Sequence, residues 1–586
     1  MISRKTYPQR KEVEVAQAYE TKAWLKHYAP WTPHELDYSD TTIASLYREN
    51  LANNADKPAT YFFGRTMTFA ELDKQVRRAA AGLRAFGVRP GDRVALAMPN
   101  CPQHIIAFHA ILQLGAIVVE HNPLYTAHEL EEPFKDHGAR IAISFDKTSS
   151  TLEQLRATTP LETIISVNLI NAMPRYMQLA LRIPLPPLSK TRERLTGFAP
   201  NTVPWETLCS SAIGGDGSDI EFPEVTKDDT AVILYTSGTT GVPKGAQLTH
   251  GNLHSNVKMG AAWVPGFPHE DERILAALPL FHAYGMTFAA TLPFYGGSEM
   301  VLLPTPDLKL IMQVMKKHTP TFVPGVPTLY EKILEAAEQT GTDISGINNA
   351  FSGASTLPVS LVERWEAATG GRLVEGYGLT ECSPILTGNT MDGNRRPGWI
   401  GVPFPDTVVR ICDTEDPSRV LPDGEEGEIQ AKGPQVFKGY LNKPEATEAS
   451  FVDGWYRTGD VGVMDDEGYI KIVSRLKEVI ITGGFNVYPV EVEEVLRAHP
   501  DIDDVAVVGL PRGDGSEIVT AAITLNEGAA LDPEGLKEYC RTQLTRYKVP
   551  RKFFHFEDMP RDMMGKIRRR DVRDQIIERN DIKPAK

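Results

Sequence analysis

The residues with the clearest chemistry lie between Ala231 and Leu253, in AVILYTSGTTGVPKGAQLTHGNL. The run AVILY is apolar and holds β-branched residues, which predicts a buried strand. It leads into Thr236, Ser237, Gly238, Thr239, Thr240 and Gly241, followed by Lys244 and Gly245. Glycines let a backbone approach a ligand closely. Successive main-chain N–H groups and hydroxyls can then surround phosphate oxygens, and a lysine adds positive charge. The spacing is not that of a Walker A loop, which has four residues between its glycines and ends Gly-Lys-Ser/Thr. Here two residues separate Gly238 from Gly241, and Lys244 precedes Gly245. The competing reading is an ordinary Gly/Thr surface loop. Three threonines and a lysine directly behind a buried strand favour phosphate instead.

Other reactive groups stand far away in the sequence. Glu381 closes a glycine-rich turn, GYGLTE, that begins at Gly376. Asp460 comes after a Thr-Gly pair in GWYRTGD. Arg475, Lys477 and Glu478 form a charged run, usually a solvated face, with Gly483, Gly484 and Phe485 soon after. His282 lies in LPLFHAYGM, where a satisfied core histidine is the plain alternative. Lys566 stands after Gly565 near the end, beside Arg568, Arg569 and Arg570, where a basic tail is the alternative.

The elements that would position these groups read as an α/β chain. From Thr60 to Val118 the pattern is strand, helix, turn, strand, with Thr68 and Glu71 spaced as a capping box. Helix–strand alternation continues through RIAISFD, which predicts layered α/β subdomains with parallel strands. It resumes at Thr226 and runs to about Val402. VVRICD, GEIQAKG and YIKIVS then read as short strands of a β-rich section. After Glu478 comes a smaller α+β unit, of about a hundred residues. The expected division is a leader at 1–50, a large domain at 51–474, a junction at 475–478 and a small domain at 479–586. Residues 167–200 break the rhythm. Between Arg175 and Arg194 five basic residues stand against one acid, in an apolar and prolyl context. That suits either contact with anionic lipid or a surface excursion, and the prolines prevent one long helix.

The chain has 586 residues and a net charge of −14. An acidic balance argues against broad nucleic-acid binding. The five cysteines, Cys101, Cys209, Cys382, Cys412 and Cys540, show neither metal spacing nor a disulfide framework. With a charged N-terminal stretch and no apolar run of membrane-spanning length, a cytoplasmic protein is expected.

YTSGTTGVPKGA resembles the phosphate loop of the adenylate-forming (AMP-binding) superfamily. Five further segments occur in that family's order: FSGAS from Phe351, GYGLTE from Gly376, GWYRTGD from Gly454, SRLKEVIITGGFNVYPVEVE from Ser474 and PRDMMGK from Pro560. The resemblance spans roughly residues 50 to 575, and it implies a role for each motif. Thr236 to Gly241 and Lys244 hold ATP phosphates, with Thr236 and Glu381 on Mg²⁺. Gly353, Ala354, Ser355, Gly376 and Tyr377 form the adenine pocket, and Gly378 and Thr380 belong to the ATP/AMP site. Asp460 accepts the ribose hydroxyls, and Arg475 contacts ribose or phosphate. His282 lines the acyl site. Lys566 is the catalytic lysine of adenylation, although Met563-Met564 stands where relatives carry small or polar residues. Lys477 is the hinge, and Gly483, Gly484 and Phe485 reach the site in the thioester step.

The implied reaction is ATP-dependent activation of a carboxylic acid as an acyl-adenylate, then transfer to coenzyme A. Asp453 to Lys477 resembles bacterial long-chain fatty acid–CoA ligases, so the expected substrate is a medium- to long-chain fatty acid. An aryl-CoA ligase shares every motif and stays open. A fatty acyl-AMP ligase carries an insertion before the hinge, whereas Asp460 to Arg475 is short here. A non-catalytic nucleotide- or lipid-binding module would lack Lys566 or Glu381. Expected partners are small molecules, with peripheral membrane contact through 167–200 and a homodimer both admitted.

Overall fold

The computed structural model describes residues 17–39, 42–236, 243–268, 272–482, 485–512, 517–562 and 565–580. Ser237 to Gly241, Gly483, Gly484, Met563 and Met564 therefore lie outside the described residues. So do the side chain of Phe485 and part of the expected leader.

Two large sheets carry the glycine-rich motifs. The first has eight strands. Its parallel centre is Ile117–Glu120, Arg93–Ala97, Ile141–Phe145 and Thr163–Val167, whose near-continuous apolar runs are buried on both faces. Thr230–Thr236 joins this centre beside Ile117–Glu120, then turns back antiparallel into Lys244–Thr249. These two paired strands flank the phosphate-loop sequence. The short strand Gly439–Tyr440 pairs onto Lys244–Thr249 as an edge.

The second sheet has nine strands. Phe322–Gly325, Asn349–Ser352 and Arg372–Gly378 run parallel in it. The last two deliver Gly353-Ala354-Ser355 and Gly376 to Glu381 at their C-terminal ends, where ligands of open α/β sheets bind. Thr68 caps the helix Phe69–Ala85 with its side chain accepting from Glu71 N, as the capping box predicts.

A five-stranded sheet comes next, and its long strand Trp455–Met464 pairs with Ile470–Arg475. Within that hairpin Asp460 and Arg475 are cross-strand partners. The small unit is built on a three-stranded sheet, Ile502–Pro511, Glu517–Leu525 and Lys552–His555. Alternation along its first strand divides two cores. Val505 and Val507 face one cluster with Val492 and Leu496, while Ala506, Val508 and Leu510 face another with Val572 and Ile576.

The described part of the expected leader, from residue 17, packs into the large unit. Trp24 is buried in the main core, and Tyr28 Oη donates to Pro403 O at 2.7 Å. The 167–200 stretch forms two short helices, Arg175–Ala180 and Pro186–Leu195, set on the domain surface. No helix among the described residues is long and apolar enough to cross a membrane.

Candidate active site

The hairpin Thr230–Thr236/Lys244–Thr249 fixes the two described ends of the phosphate loop. Thr236 pairs with Lys244, and Thr236 Oγ1 lies 3.5 Å from Lys244 O. Lys244 Nζ sits 5.0 Å from the centroid of the Tyr440 ring, a cation–π contact. Tyr440 Oη donates to Glu381 Oε1 at 2.8 Å. Glu381 is buried, which raises its carboxyl; the Tyr440 bond and the charges of Arg475 and Lys244 partly offset this. The loop lysine, the carboxylate and one tyrosine therefore form a single cluster. Sequence reasoning missed Tyr440, because a two-residue edge strand has no periodicity to read.

The glycine turn has steric reasons. A Cβ on Gly376 would stand 2.3 Å from the Phe351 ring, and one on Gly378 would stand 1.9 Å from Pro384 O. Either side chain would force the turn off its neighbouring strand. Gly353 and Ser355 flank Ala354, which takes the left-handed φ of 68°, a strained choice for a residue with a Cβ. Thr380 begins the short helix Thr380–Cys382 that carries Glu381.

Asp460 is only 3 % exposed. Its Oδ2 accepts from Tyr377 Oη at 2.6 Å, and its Oδ1 pairs with Arg475 Nε at 3.0 Å. Both oxygens expected to meet ribose hydroxyls are thus engaged by protein, each with a further lone pair. Tyr377 is held by its hydroxyl edge. Asp460 is the main reason the Arg475 guanidinium is raised in pKa.

Lys566 reaches this group from the small unit. Burial lowers its ammonium first, then the charge of Arg475, while Asp460 and Glu478 act in the opposite sense and Arg569 adds to the lowering. Lys566 is thus within electrostatic range of the Asp460–Arg475 pair. The loop that carries it closes on Asp562, whose Oδ1 accepts from Lys566 N at 2.9 Å. A Cβ on Gly565, at φ 77°, would stand 3.2 Å from Thr328 Oγ1 of the large unit. Asp562 also interacts electrostatically with Tyr125 and with His282. The loop is therefore seated against the large unit.

His282 caps the helix Ala283–Met286. Its Nδ1 accepts from Tyr284 N at 3.2 Å, so the ring proton sits on Nε2. Burial lowers its pKa, which keeps the ring neutral. Lys477 is exposed between the units, its ammonium lowered by desolvation and then by Lys244.

Arg475, Asp460, Tyr377, Lys566, Glu381 and Lys244 are thus linked by contact or charge. His282 is near enough to Asp562, which closes the Lys566 loop, for that carboxylate to oppose the lowering of its pKa. Sequence reasoning also missed Glu375, one residue before the Gly376 turn. It is 6 % exposed, burial pushes its carboxyl up to about 8, and its Oε2 has no hydrogen-bond partner among the described residues.

Comparison with known proteins agrees with this layout. Residues 47–441 match the AMP-binding enzyme family, and residues 491–566 match the AMP-binding enzyme C-terminal domain. The chain is 38% identical to a long-chain-fatty-acid–CoA ligase of Bacillus subtilis (strain 168), over 96% of this chain and 99% of that one. It is 34% identical to a feruloyl-CoA synthase of Amycolatopsis sp, over 87% of this chain and 94% of that one. The crystal structure of ATP-bound MatB from Rhodopseudomonas palustris superposes with a TM-score of 0.76 at 31% identity, covering 91% of this chain and 99% of that chain. With both matched regions in order and full-length relatives above 30% identity, this chain belongs to the AMP-binding enzyme family.

Proposed function

We propose that this protein joins a medium- to long-chain fatty acid to coenzyme A, through an acyl-adenylate, with release of pyrophosphate and AMP. The adenylation step is supported by the electrostatic coupling of Lys566, from the small unit, to the Asp460–Arg475 pair of the hairpin before the hinge. The fatty acid is supported by the similarity to long-chain-fatty-acid–CoA ligases over nearly the whole chain. The feruloyl-CoA synthase similarity, shorter and weaker, keeps an aryl acid as the second reading.

In the first step a carboxylate oxygen attacks the α-phosphorus of ATP, and the bond to pyrophosphate breaks. Two anions must approach each other, so fixed positive charge lowers the barrier. Lys566 and Arg475 supply it at the α-phosphate and ribose. Lys244 and the loop from Thr236 through Ser237, Gly238, Thr239, Thr240 and Gly241 supply it at the outer phosphates. Gly353, Ala354, Ser355, Gly376 and Tyr377 shape the adenine pocket, Gly378 and Thr380 complete the ATP/AMP site, and Asp460 is at the ribose. His282, neutral and tethered at Nδ1, offers an Nε2–H toward the acyl carboxylate.

Thr236 and Glu381 fit Mg²⁺. Both present hard oxygens next to Lys244, and a buried carboxylate gains from a cation that favours its charged form. Mg²⁺, when bound, neutralises charge on the phosphates.

In the second step the small unit turns about Lys477, within a hinge at 475–478 between a large domain ending at 474 and a small domain starting at 479. Lys566 withdraws, and Gly483, Gly484 and Phe485 approach. The thiol sulfur of coenzyme A attacks the acyl carbonyl, the thiol proton passes to solvent, and the bond to AMP breaks. Separate closed states for the two steps are a gating device. Asp460 and Arg475 face each other in one hairpin, which leaves a short connection and supports a coenzyme A user over an acyl-AMP ligase. A homodimer would carry two such sites.

Residues 167–200 support peripheral contact with the inner face of a membrane by a cytoplasmic protein. Five of the twelve exposed large apolar side chains among the described residues are Tyr176, Leu179, Ile183, Leu185 and Phe198. Arg175, Arg182, Lys190 and Arg194 are exposed beside them. The platform under them is fixed: Leu181 is buried, Thr196 Oγ1 donates to Asp146, and Gly197 N donates to Asp146 Oδ1 at 2.9 Å.

The function is tested by measuring AMP, pyrophosphate and acyl-CoA together, across acids from acetate to oleate plus coumarate. Equimolar products with the best kcat/KM for the longer aliphatic acids support the reading. A preference for coumarate moves it to the aryl class, and ATP consumption without any acyl-CoA removes it.

A further inference from the structure

Lys566 lies on a loop, yet its amine has to arrive beside the Asp460–Arg475 pair in one orientation. The loop's own bonds hold its shape. Asp562 Oδ1 accepts from Lys566 N, Asp562 N donates to Lys566 O at 2.8 Å, and Arg561 bridges to Ile567. On its N-terminal side the loop is tied to the small unit by Arg561, which pairs with Asp504 on the strand Ile502–Pro511. The helix on its C-terminal side supplies the second anchor.

Three residues beyond Lys566, Arg569 opens the helix Arg569–Arg579. Its guanidinium grips two carboxylates. Nε donates to Glu493 Oε1 at 2.8 Å and Nη2 to Glu493 Oε2 at 2.6 Å. Nη1 donates to Glu478 Oε2 at 2.6 Å. Glu493 is buried on the helix Pro489–Arg497 and also accepts from Val507 N at 2.8 Å, so it is anchored to helix and sheet at once. Glu478 is the residue directly after Lys477 and is tied back to the end of the preceding strand, with Glu478 N donating to Arg475 O at 2.9 Å. One side chain therefore connects the Lys566 loop, the core of the small unit and the hinge segment.

We infer that Arg569 is a positioning residue for Lys566: its three-point grip on Glu493 and Glu478 makes the hinge and the adenylation loop one rigid piece. A turn about Lys477 then carries the Lys566 amine to and from the α-phosphate without slack. The geometry requires the planar fork of arginine. A lysine keeps the charge but cannot span both oxygens of Glu493 and reach Glu478 as well. The cluster lies entirely after Lys477 in the chain, so it travels with the small unit through both half-reactions. The adenylation step depends on it more, because Lys566 acts there and is withdrawn in the thioester step. A shift of about 1 Å at a reacting group costs on the order of a hundredfold.

This inference rests on the proposed adenylation chemistry, and the test separates the two. Full-length Arg569→Lys and Glu478→Gln are compared with the unaltered chain in adenylate formation and, separately, in thioester formation from supplied acyl-AMP. Both substitutions retain a partner for Glu493 or for Arg569, and thermal unfolding checks that each variant folds. The expected result for Arg569→Lys is a kcat for adenylation lower by about 30- to 100-fold, with KM for ATP changed less than about threefold and the thioester half-reaction within about threefold. Glu478→Gln, which keeps the Glu493 fork, gives a smaller loss in the same half-reaction. Equal losses in both half-reactions, or unchanged adenylation in a folded Arg569→Lys protein, overturn the positioning role. Absence of adenylation in the unaltered chain overturns the proposed function instead.

Discussion

Replacing Glu375 with glutamine changes how the protein's heat stability depends on pH. Glu375 lies on the strand Arg372–Gly378, opposite Ser352, whose hydroxyl is also buried without a hydrogen-bond partner among the described residues. Desolvation pushes the carboxyl from the ordinary 4.5 to about 8, and a backbone hydrogen bond at Leu357 only partly opposes this. The folded state therefore holds a proton that the unfolded chain releases near pH 4.5. A raised acid contributes its full stability below the unfolded pKa and loses it as pH rises toward about 8. Between about pH 5 and pH 8 that loss is about 3 to 4 kcal/mol. For a unit of roughly 400 residues, at about 2.1 cal/mol/K each, this corresponds to about 4 °C in Tm. Glutamine is neutral throughout and nearly isosteric. The Tm of Glu375→Gln relative to the unaltered protein thus rises by about 4 °C from about pH 5 to pH 8, measured by scanning calorimetry at one scan rate. Parallel Tm curves across that range would refute the claim that Glu375 is a neutral acid in the fold.

Two other expectations concern motion and surface. Lys477→Pro restricts φ at the proposed hinge and slows overall acyl-CoA formation by about tenfold or more while leaving adenylate formation within about threefold; unchanged acyl-CoA turnover argues against a hinge at this residue. Arg175, Arg182 and Lys190 each strengthen binding to an anionic bilayer by about 1 kcal/mol, so changing all three to glutamine weakens flotation with phosphatidylglycerol vesicles by about a hundredfold. Binding that is absent, or the same after neutralisation, removes the membrane contact at 167–200.

Much of this fold is legible along the chain because its signals are local. The Thr68–Glu71 capping box, the apolar run before Thr236 and the apolar run in the strand Ile502–Pro511 each declare themselves within about ten residues. Successive side chains of that last run enter the small unit's two cores. What escaped is set by distant pairing. Tyr440 finds Glu381 across 59 positions, through a strand of two residues. Arg569 finds Glu493 across 76 positions and reads locally as one more charge in a basic tail. Glu375 looks like an ordinary strand residue, and only burial makes its carboxyl unusual. The double engagement of Asp460 was equally hidden, because Tyr377 and Arg475 come from different sheets. The seating of the Lys566 loop against Thr328 is a relation between two domains, which no local pattern encodes.

The most direct test is Lys566→Ala assayed in the two half-reactions separately. With its charge gone from the α-phosphate, adenylate formation falls by about 10² to 10³ in kcat. Thioester formation from supplied acyl-AMP stays within about threefold, since in the proposed mechanism Lys566 is withdrawn in that step. A protein in which both half-reactions fall together, or in which adenylation survives, would contradict the proposed assignment of Lys566.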